Sequence, residues 1–286
     1  MLMDFSKYKK TSTFFGGSEK KFGIMIGDNE YMLKFQKITN SGEKMLNHIS
    51  EYIGSHIFEF LGFKVHETYL GLYKNNEVVA CKNFIKANYQ FVPFSEVGES
   101  TLEESKDKYS YSYSDIMAML KKNTKLTNLP NTIDVFWDMF VVDAIIGNFD
   151  RHGSNWGFLK KDNKYEFAPI FDNGSCLFPR LINKKQIDFI LDNKEELEKR
   201  IYIFPTSQIK IGSNKSSYYD VISSMRYSEC YEAVKRIYKR YNKEVINKII
   251  DNTPMIDECH KRFYKIIINE RFNKIIKETY VKLESR

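Results

Sequence analysis

The sequence predicts an α+β chain of two lobes, a small β-rich first lobe with one main helix and a larger, mostly helical second lobe. Strand-like runs fill the first third, a single amphipathic stripe interrupts them, and helical periodicity governs much of the rest. With 286 residues, 42% of them apolar, the chain can bury a sizeable core.

Ahead of the first strand, FFGGSEKK joins Gly16 and Gly17 to Ser18, Lys20 and Lys21, as a phosphate-covering loop would; an ordinary Gly-Gly turn fits these residues as well. Phe22 to Ile26 and Tyr31 to Gln36 form a hairpin pattern around Gly27, Asp28, Asn29 and Glu30. A helix is expected from near Ser41, with Leu46, Ile49, Ile53, Ile57 and Phe60 on one stripe and Gly62 as its stop. A second hairpin pairs Val65 to Tyr73 with Glu77 to Ile85, turning at Asn75 and Asn76.

Periodicity is lost over 86–115, which places the lobe boundary between 1–86 and 87–286. Beyond it, Ile133, Phe136, Trp137, Phe140, Val141, Ala144 and Ile145 mark a buried helix. Trp156 to Leu159 and Tyr165 to Ala168 follow as a short hairpin. Helices are expected from about Asp220, the last opening at Thr253-Pro254.

Composition narrows the function classes. The formal net charge of +7 gathers in C-terminal runs such as AVKRIYKRYNKEVINK, where lysines alternate with apolar residues at helical spacing. That pattern reads as a solvated face over a packed stripe, so direct nucleic-acid binding is not expected. Cys81, Cys176, Cys230 and Cys259 are too scattered for a metal knuckle or a disulfide scaffold, which suits reduced thiols in a cytoplasm. No secretory start and no membrane span are expected, with delivery to another cell by a non-classical route left open.

The chemistry concentrates in GNFDRHGSNWGFL, where the buried helix exits toward a short strand. Phosphoryl transfer needs a carboxylate to accept a hydroxyl proton and, near it, an oxygen ligand for magnesium. Asp150 supplies the first and Asn155 the second, while Asp172, just past the next hairpin in PIFDNGS, supplies another metal carboxylate. Each motif alone reads as a turn; their order of helix, Asp-x-x-x-x-Asn loop, hairpin and Asp-x-Gly favours phosphoryl transfer. Arg151 and His152 are supporting residues, His152 toward phosphate or as a structural hydrogen bond.

Lys34 shares a strand face with Met32 and Gln36, opposite Tyr31, Leu33 and Phe35. Given the downstream motifs, it is the candidate to pair nucleotide phosphates. Glu51, off the apolar stripe of the helix, is its expected partner, with Glu43 and Glu59 as rivals.

Together IGNFDRHGSNWGFL, APIFDNGSCL, YMLKF, ISEYIGSHIFEFLG, VVACKNF and IFPTSQIKI resemble a short branch of the HipA-like serine/threonine kinases, from about residue 14 to about 215. The resemblance implies a bilobal protein-kinase-like fold that uses ATP and Mg2+, autophosphorylates and phosphorylates a Ser or Thr on a protein substrate. By motif position it makes Asp150 the catalytic base, Asn155 and Asp172 the metal ligands and Lys34 the phosphate lysine. It further implies an adenine-binding hinge at Val79, Ala80, Cys81, Lys82, Asn83 and Phe84, and autophosphorylation at Thr13 or Ser18. Longer members carry an N-terminal subdomain that meets a DNA-binding antitoxin; this chain begins almost at the glycine loop, so a HipB-like partner is left open. Two alternatives stand beside this reading. One is a lipid or small-molecule kinase of phosphoinositide-kinase-like chemistry, and the other a nucleotide-binding regulator.

Overall fold

Backbone alternation and turn chemistry build the first lobe. The computed structural model describes residues 2–16, 20–99, 111–122 and 129–285. Strands β1 (Met3–Asp4), β2 (Lys21–Ile26), β3 (Asn29–Phe35), β4 (Thr68–Tyr73) and β5 (Asn76–Lys82) form one sheet in the order β1-β4-β5-β3-β2, β1 parallel to β4 and the rest antiparallel. Gly27, with φ +59°, closes the β2–β3 hairpin as a two-residue turn in which Ile26 faces Asn29. The β4–β5 turn falls one residue earlier than expected, on Lys74 and Asn75, whose φ values are 47° and 65°. Asn76 is already in the strand, opposite Tyr73, and its side-chain amide donates to the Lys74 carbonyl at 3.0 Å.

On β3, Tyr31, Leu33 and Phe35 join Phe5, Ile24, Val78 and Ala80 in a small outer core. Lys34 therefore points to the other face, toward the helix that packs there. That helix, α1 (Asn47–Phe60), starts six residues later than the stripe predicts. Gly42 sits at φ +83°, Thr39 Oγ1 accepts the Glu43 amide at 3.1 Å, and Ser41 binds the Glu43 carboxylate at 3.0 Å, so these residues make a turn rather than a cap. Asn47 instead ties the helix to the sheet, accepting the Lys37 amide at 2.8 Å and donating to the Phe35 carbonyl at 3.0 Å. Gly62, at φ +92°, follows its end as expected.

The second lobe is centred on α4 (Leu129–Ile146), in which Trp137, Val141, Val142, Ala144 and Ile145 are fully buried. Ahead of α4 in the chain come β6 (Gln90–Pro93) and α2 (Phe94–Glu99), then β7 (Tyr111–Ser112) and α3 (Tyr113–Lys122). The predicted short hairpin is β8 (Gly157–Lys161) with β9 (Lys164–Phe167), and β6 adds to its edge. Next come α5 (Lys184–Asp192), α6 (Lys194–Glu198), and the hairpin β10 (Thr206–Ile211) with β11 (Asn214–Ser217), to which β7 adds. Helices α7 (Tyr218–Ser223), α8 (Ser228–Arg240), α9 (Lys243–Asp251), α10 (Glu258–Arg271) and α11 (Glu278–Glu284) complete the lobe. Thr253-Pro254 ends α9 rather than opening α10: Thr253 bonds back to Ile249, and Asp257 caps α10 by accepting the His260 amide at 2.9 Å. Among the described residues no helix is long and apolar enough to cross a membrane.

Helix α1 lies between β4 and β5 on one side and α4 and α9 on the other, and one large core runs through all of them. The helix packs tightly on the second lobe at Gly54, where an added Cβ would lie 2.7 Å from Asn173 Cβ and 3.1 Å from Cys176 Sγ. Gly54→Ala should therefore destabilise the protein by about 1–3 kcal/mol despite its better helix propensity. A melting temperature equal to or above wild type would show that the loop at Asn173 yields freely.

Candidate active site

The loop that carries Asp150 is fixed from beneath by a buried charge pair. Gly147, at φ +65°, turns the chain out of α4, and Asn148 folds back so that its amide group donates to Asp143 Oδ1 at 3.0 Å. Asn148 Oδ1 then accepts the Asp150 backbone amide at 3.1 Å. Arg151, 7% exposed, grips Asp143, 1% exposed, through Nε at 2.8 Å and Nη2 at 3.0 Å. The same guanidinium donates to the carbonyls of Asn155 and Phe171 and to Asn173 Oδ1. One side chain thereby sets the Asp150 loop against the Asp172 loop.

Asp150 itself stays accessible, its side chain 41% exposed, with His152 Nε2 at 3.9 Å. Burial raises its pKa above the ordinary aspartate value; His152, Lys37 and Lys215 oppose this, and Asp172 adds to it. The Asn155 side chain donates Nδ2 to the Asp150 carbonyl at 2.8 Å, which leaves its amide oxygen available as a ligand.

Across the cleft, Lys34 Nζ lies 2.8 Å from Glu51 Oε2 and 2.8 Å from Asp172 Oδ1. Of the three rival glutamates, the helix delivers Glu51; Glu43 is held in its turn by Ser41, and Glu59 faces solvent. Burial disfavours the lysine charge, but Asp172 and Glu51 outweigh it and push the Lys34 pKa well up. Burial likewise works against the Glu51 carboxylate, and Lys34 with the hydrogen bond from His66 overcomes it, holding the group far below the usual range. Asp172 is held down in the same way by Lys34. Glu51 Oε1 also accepts the Asn173 amide at 2.9 Å, which fixes the Asp172 backbone at φ 59°.

These groups line a cleft of about 560 Å³. Gly16, Lys21, Lys34, Cys81, Lys82, Asn83, Phe84, Asp150, His152, Asn155 and Asp172, all expected at the site, line it together. Val79 and Ala80 do not: both are fully buried within β5, and the strand meets the cleft only from Cys81 onward. Lys20 is also placed elsewhere, its ammonium 4.7 Å over the Phe35 ring. Thr13 is exposed, and Gly17 and Ser18 lie outside the described residues.

Phe84 is expected at the hinge, but the residues that surround it at the site are absent from the sequence reading. Phe84, Phe91 and Phe171 meet at one end of the cleft with centroid separations of 5.2 to 6.1 Å, an apolar seat for a planar ring. His66 approaches Glu51 Oε1 at 2.9 Å. Asp143 and Asn173 have a sequence signal only in part: an aspartate inside the most apolar helix is a residue that demands a partner.

A model of the HipA-like C-terminal domain matches residues 13–280. The serine/threonine-protein kinase CtkA of Helicobacter pylori is 38% identical over 270 residues, spanning 92% of this chain and 82% of that protein. The crystal structure of the Helicobacter pylori proinflammatory kinase CtkA superposes with a TM-score of 0.93 at 36% identity, covering 100% of this chain and 98% of that one. The bilobal kinase-like fold is shared throughout. HipA of Shewanella oneidensis, solved with HipB and operator DNA, gives a TM-score of 0.54 at 15% identity, covering 95% of this chain and 65% of that one, a likeness of fold alone.

Because the folded Glu51 pKa is depressed below its ordinary 4.5, its contribution to stability is complete above that pH and is lost as pH falls through the folded value. Glu51→Gln should cost about 3 kcal/mol at neutral pH, and the gap to wild type should shrink under acid. Thermal melts across that range check this; a gap independent of pH would mean that the carboxylate charge is not what Lys34 requires.

Proposed function

The chain belongs to the HipA-like C-terminal domain family, and on that premise we propose that it is a serine/threonine-protein kinase that transfers phosphate from Mg-ATP. The observation that carries this reading is a single cleft faced by a buried Lys34 bridged to Glu51 and Asp172 on one side and by Asp150 on the other. We divide the lobes at 1–86 and 87–286 and place the nucleotide between them.

The residues fit both groups. Lys34 would meet the α and β phosphates, with Glu51 holding it in position, and the three phenylalanines with the Cys81–Phe84 strand end would receive the adenine. Asp172 has one carboxylate oxygen beyond the one facing Lys34, and the Asn155 amide oxygen opens on the same cleft; these hard oxygen donors suit magnesium. The metal would neutralise charge developing on the transferred phosphoryl group. Asp150 orients the acceptor hydroxyl and takes its proton as the acceptor oxygen bonds to the γ-phosphorus and the bond to the bridging β–γ oxygen breaks, releasing ADP. Arg151 is a positioning residue, since its guanidinium is spent on Asp143 and backbone carbonyls. Thr13 or Ser18 would receive phosphate in autophosphorylation, and the cytoplasm is the proposed place of action. A HipB-like partner is not part of this proposal.

Incubation with labelled ATP and magnesium should put phosphate on Ser or Thr in the wild type, and Asp150→Ala should lower the rate about 10³-fold while Mg-ATP still raises the melting temperature. Unchanged incorporation in the variant would remove Asp150 as base. The raised Asp150 pKa places the acid limb of kcat above the ordinary aspartate value, with activity falling as pH drops through it.

Asp172→Ala should lose most of the stabilisation by Mg-ATP seen in thermal-shift titration. Stabilisation equal to wild type would take Asp172 out of the metal site.

A further inference from the structure

Next to Asp150, outside the cleft lining, the fold leaves a run of large apolar side chains uncovered. Ile203 is 62% exposed and Phe204 45% exposed. The Phe204 ring lies 6.0 Å from that of Phe149, the residue before Asp150, and 5.9 Å from Phe178. Adjacent exposed apolar side chains beside a reacting group offer a seat for an apolar side chain of an acceptor.

This surface is also held rigidly relative to the base. Arg271, buried in α10, donates Nε to the Ala144 carbonyl in the last turn of α4 at 2.6 Å and Nη1 to the carbonyls of Arg200 and Ile201. The Phe204 amide donates to Lys199 at 2.8 Å, and Gln208 Nε2 donates to the Phe149 carbonyl at 2.7 Å. The helix end that launches Asp150 and the segment bearing Ile203 and Phe204 are thus fixed by shared residues, so an occupant of one is in register with the other.

Two lysines act on the base from separate parts of the fold, against the acids Asp172 beside it and Glu198 and Glu278 near Tyr202. Lys37 and Lys215 both act on Asp150 electrostatically, and Lys215 is exposed on β11, in register with Lys210 on β10. A segment that carries a carboxylate would meet complementary charge there.

We propose that the Phe149, Ile203 and Phe204 surface with Lys215 selects the acceptor, an extended polypeptide segment whose Ser or Thr is flanked by a large apolar residue and by an acidic one. The apolar residue seats on the three side chains and the acid faces Lys215. This rests on the kinase reading above and names the substrate class of that same site.

The test uses the full chain, magnesium, labelled ATP and Ser/Thr peptide series in which one position at a time around the acceptor carries Leu, Ala, Asp or Lys. Wild type should favour Leu over Asp roughly tenfold or more at one position, the worth of seating one apolar side chain. It should favour Asp over Lys severalfold at another. Lys215→Glu should reverse the second preference and keep the first, and Ile203→Asp should erase the first. Label spread evenly over all series overturns the inference and leaves the kinase reading standing. So does label on the chain itself with none on any peptide. No label anywhere overturns the kinase reading, and this inference falls with it. Because the wild-type series alone can give each of these results, a variant that fails to fold does not blunt the test.

Discussion

A lysine ammonium buried between two carboxylates is the interaction on which the rest of the site depends. Lys34 lies on the sheet, Glu51 on α1 and Asp172 on the loop of the second lobe, so one cation joins three elements that meet nowhere else in sequence. Neither Lys34 nor Glu51, both buried, is tolerable there as a lone charge, and Asp172 closes the group from its more open side. The sheet must therefore present Lys34 toward the helix, α1 must turn Glu51 inward, and the Asp172 loop must close against both. The left-handed backbone at Asp172 and the missing side chain at Gly54 are local concessions to that meeting.

The second lobe repeats the device with the signs exchanged. Asp143 brings a negative charge into the buried end of α4, and Arg151 answers it while spending its remaining donors on the carbonyls of Phe171 and Asn155 and on Asn173. A wholly apolar pair would pack as well, but it would not dictate the direction of two loops at once. The guanidinium fork does so because it holds Asp143 through two donors while reaching Asn155, Phe171 and Asn173 at the same time. Asp150 is left nearly free of direct partners, as a group that must exchange a proton has to be.

What the sequence reveals and what it hides divide along range of interaction. Asp150 and Asn155 are legible because both stand on one short loop after a helix, and Lys34 because strand alternation assigns it a face. Helical phase puts Glu51 off the apolar stripe but leaves Glu43 and Glu59 as rivals, and only the tertiary contact with Lys34 decides among them. The aromatic seat is not legible, since Phe84, Phe91 and Phe171 come from three segments and only tertiary closure brings them together. Val79 and Ala80 were read into the hinge from motif position, whereas burial on both faces of a central strand withdraws them from the cleft. Helices α3, α5 and α6 escaped notice because each spans fewer than three turns, too few for an apolar stripe to repeat, and Ser41 suggested a cap that Gly42 forbids.

The contact between Lys34 and Asp172 makes the cleft a competitive device. An anionic ligand that draws the ammonium toward itself must displace a carboxylate already seated there, and its observed affinity is reduced by whatever that exchange costs. A neutral planar compound resting on Phe84, Phe91 and Phe171 makes no such demand and can occupy the ring seat with the ion pair intact. Inhibitors built on the aromatic end alone would thus stabilise the latched arrangement, while those with a charged tail would select the released one, and the two series would report on different conformations of the same pocket.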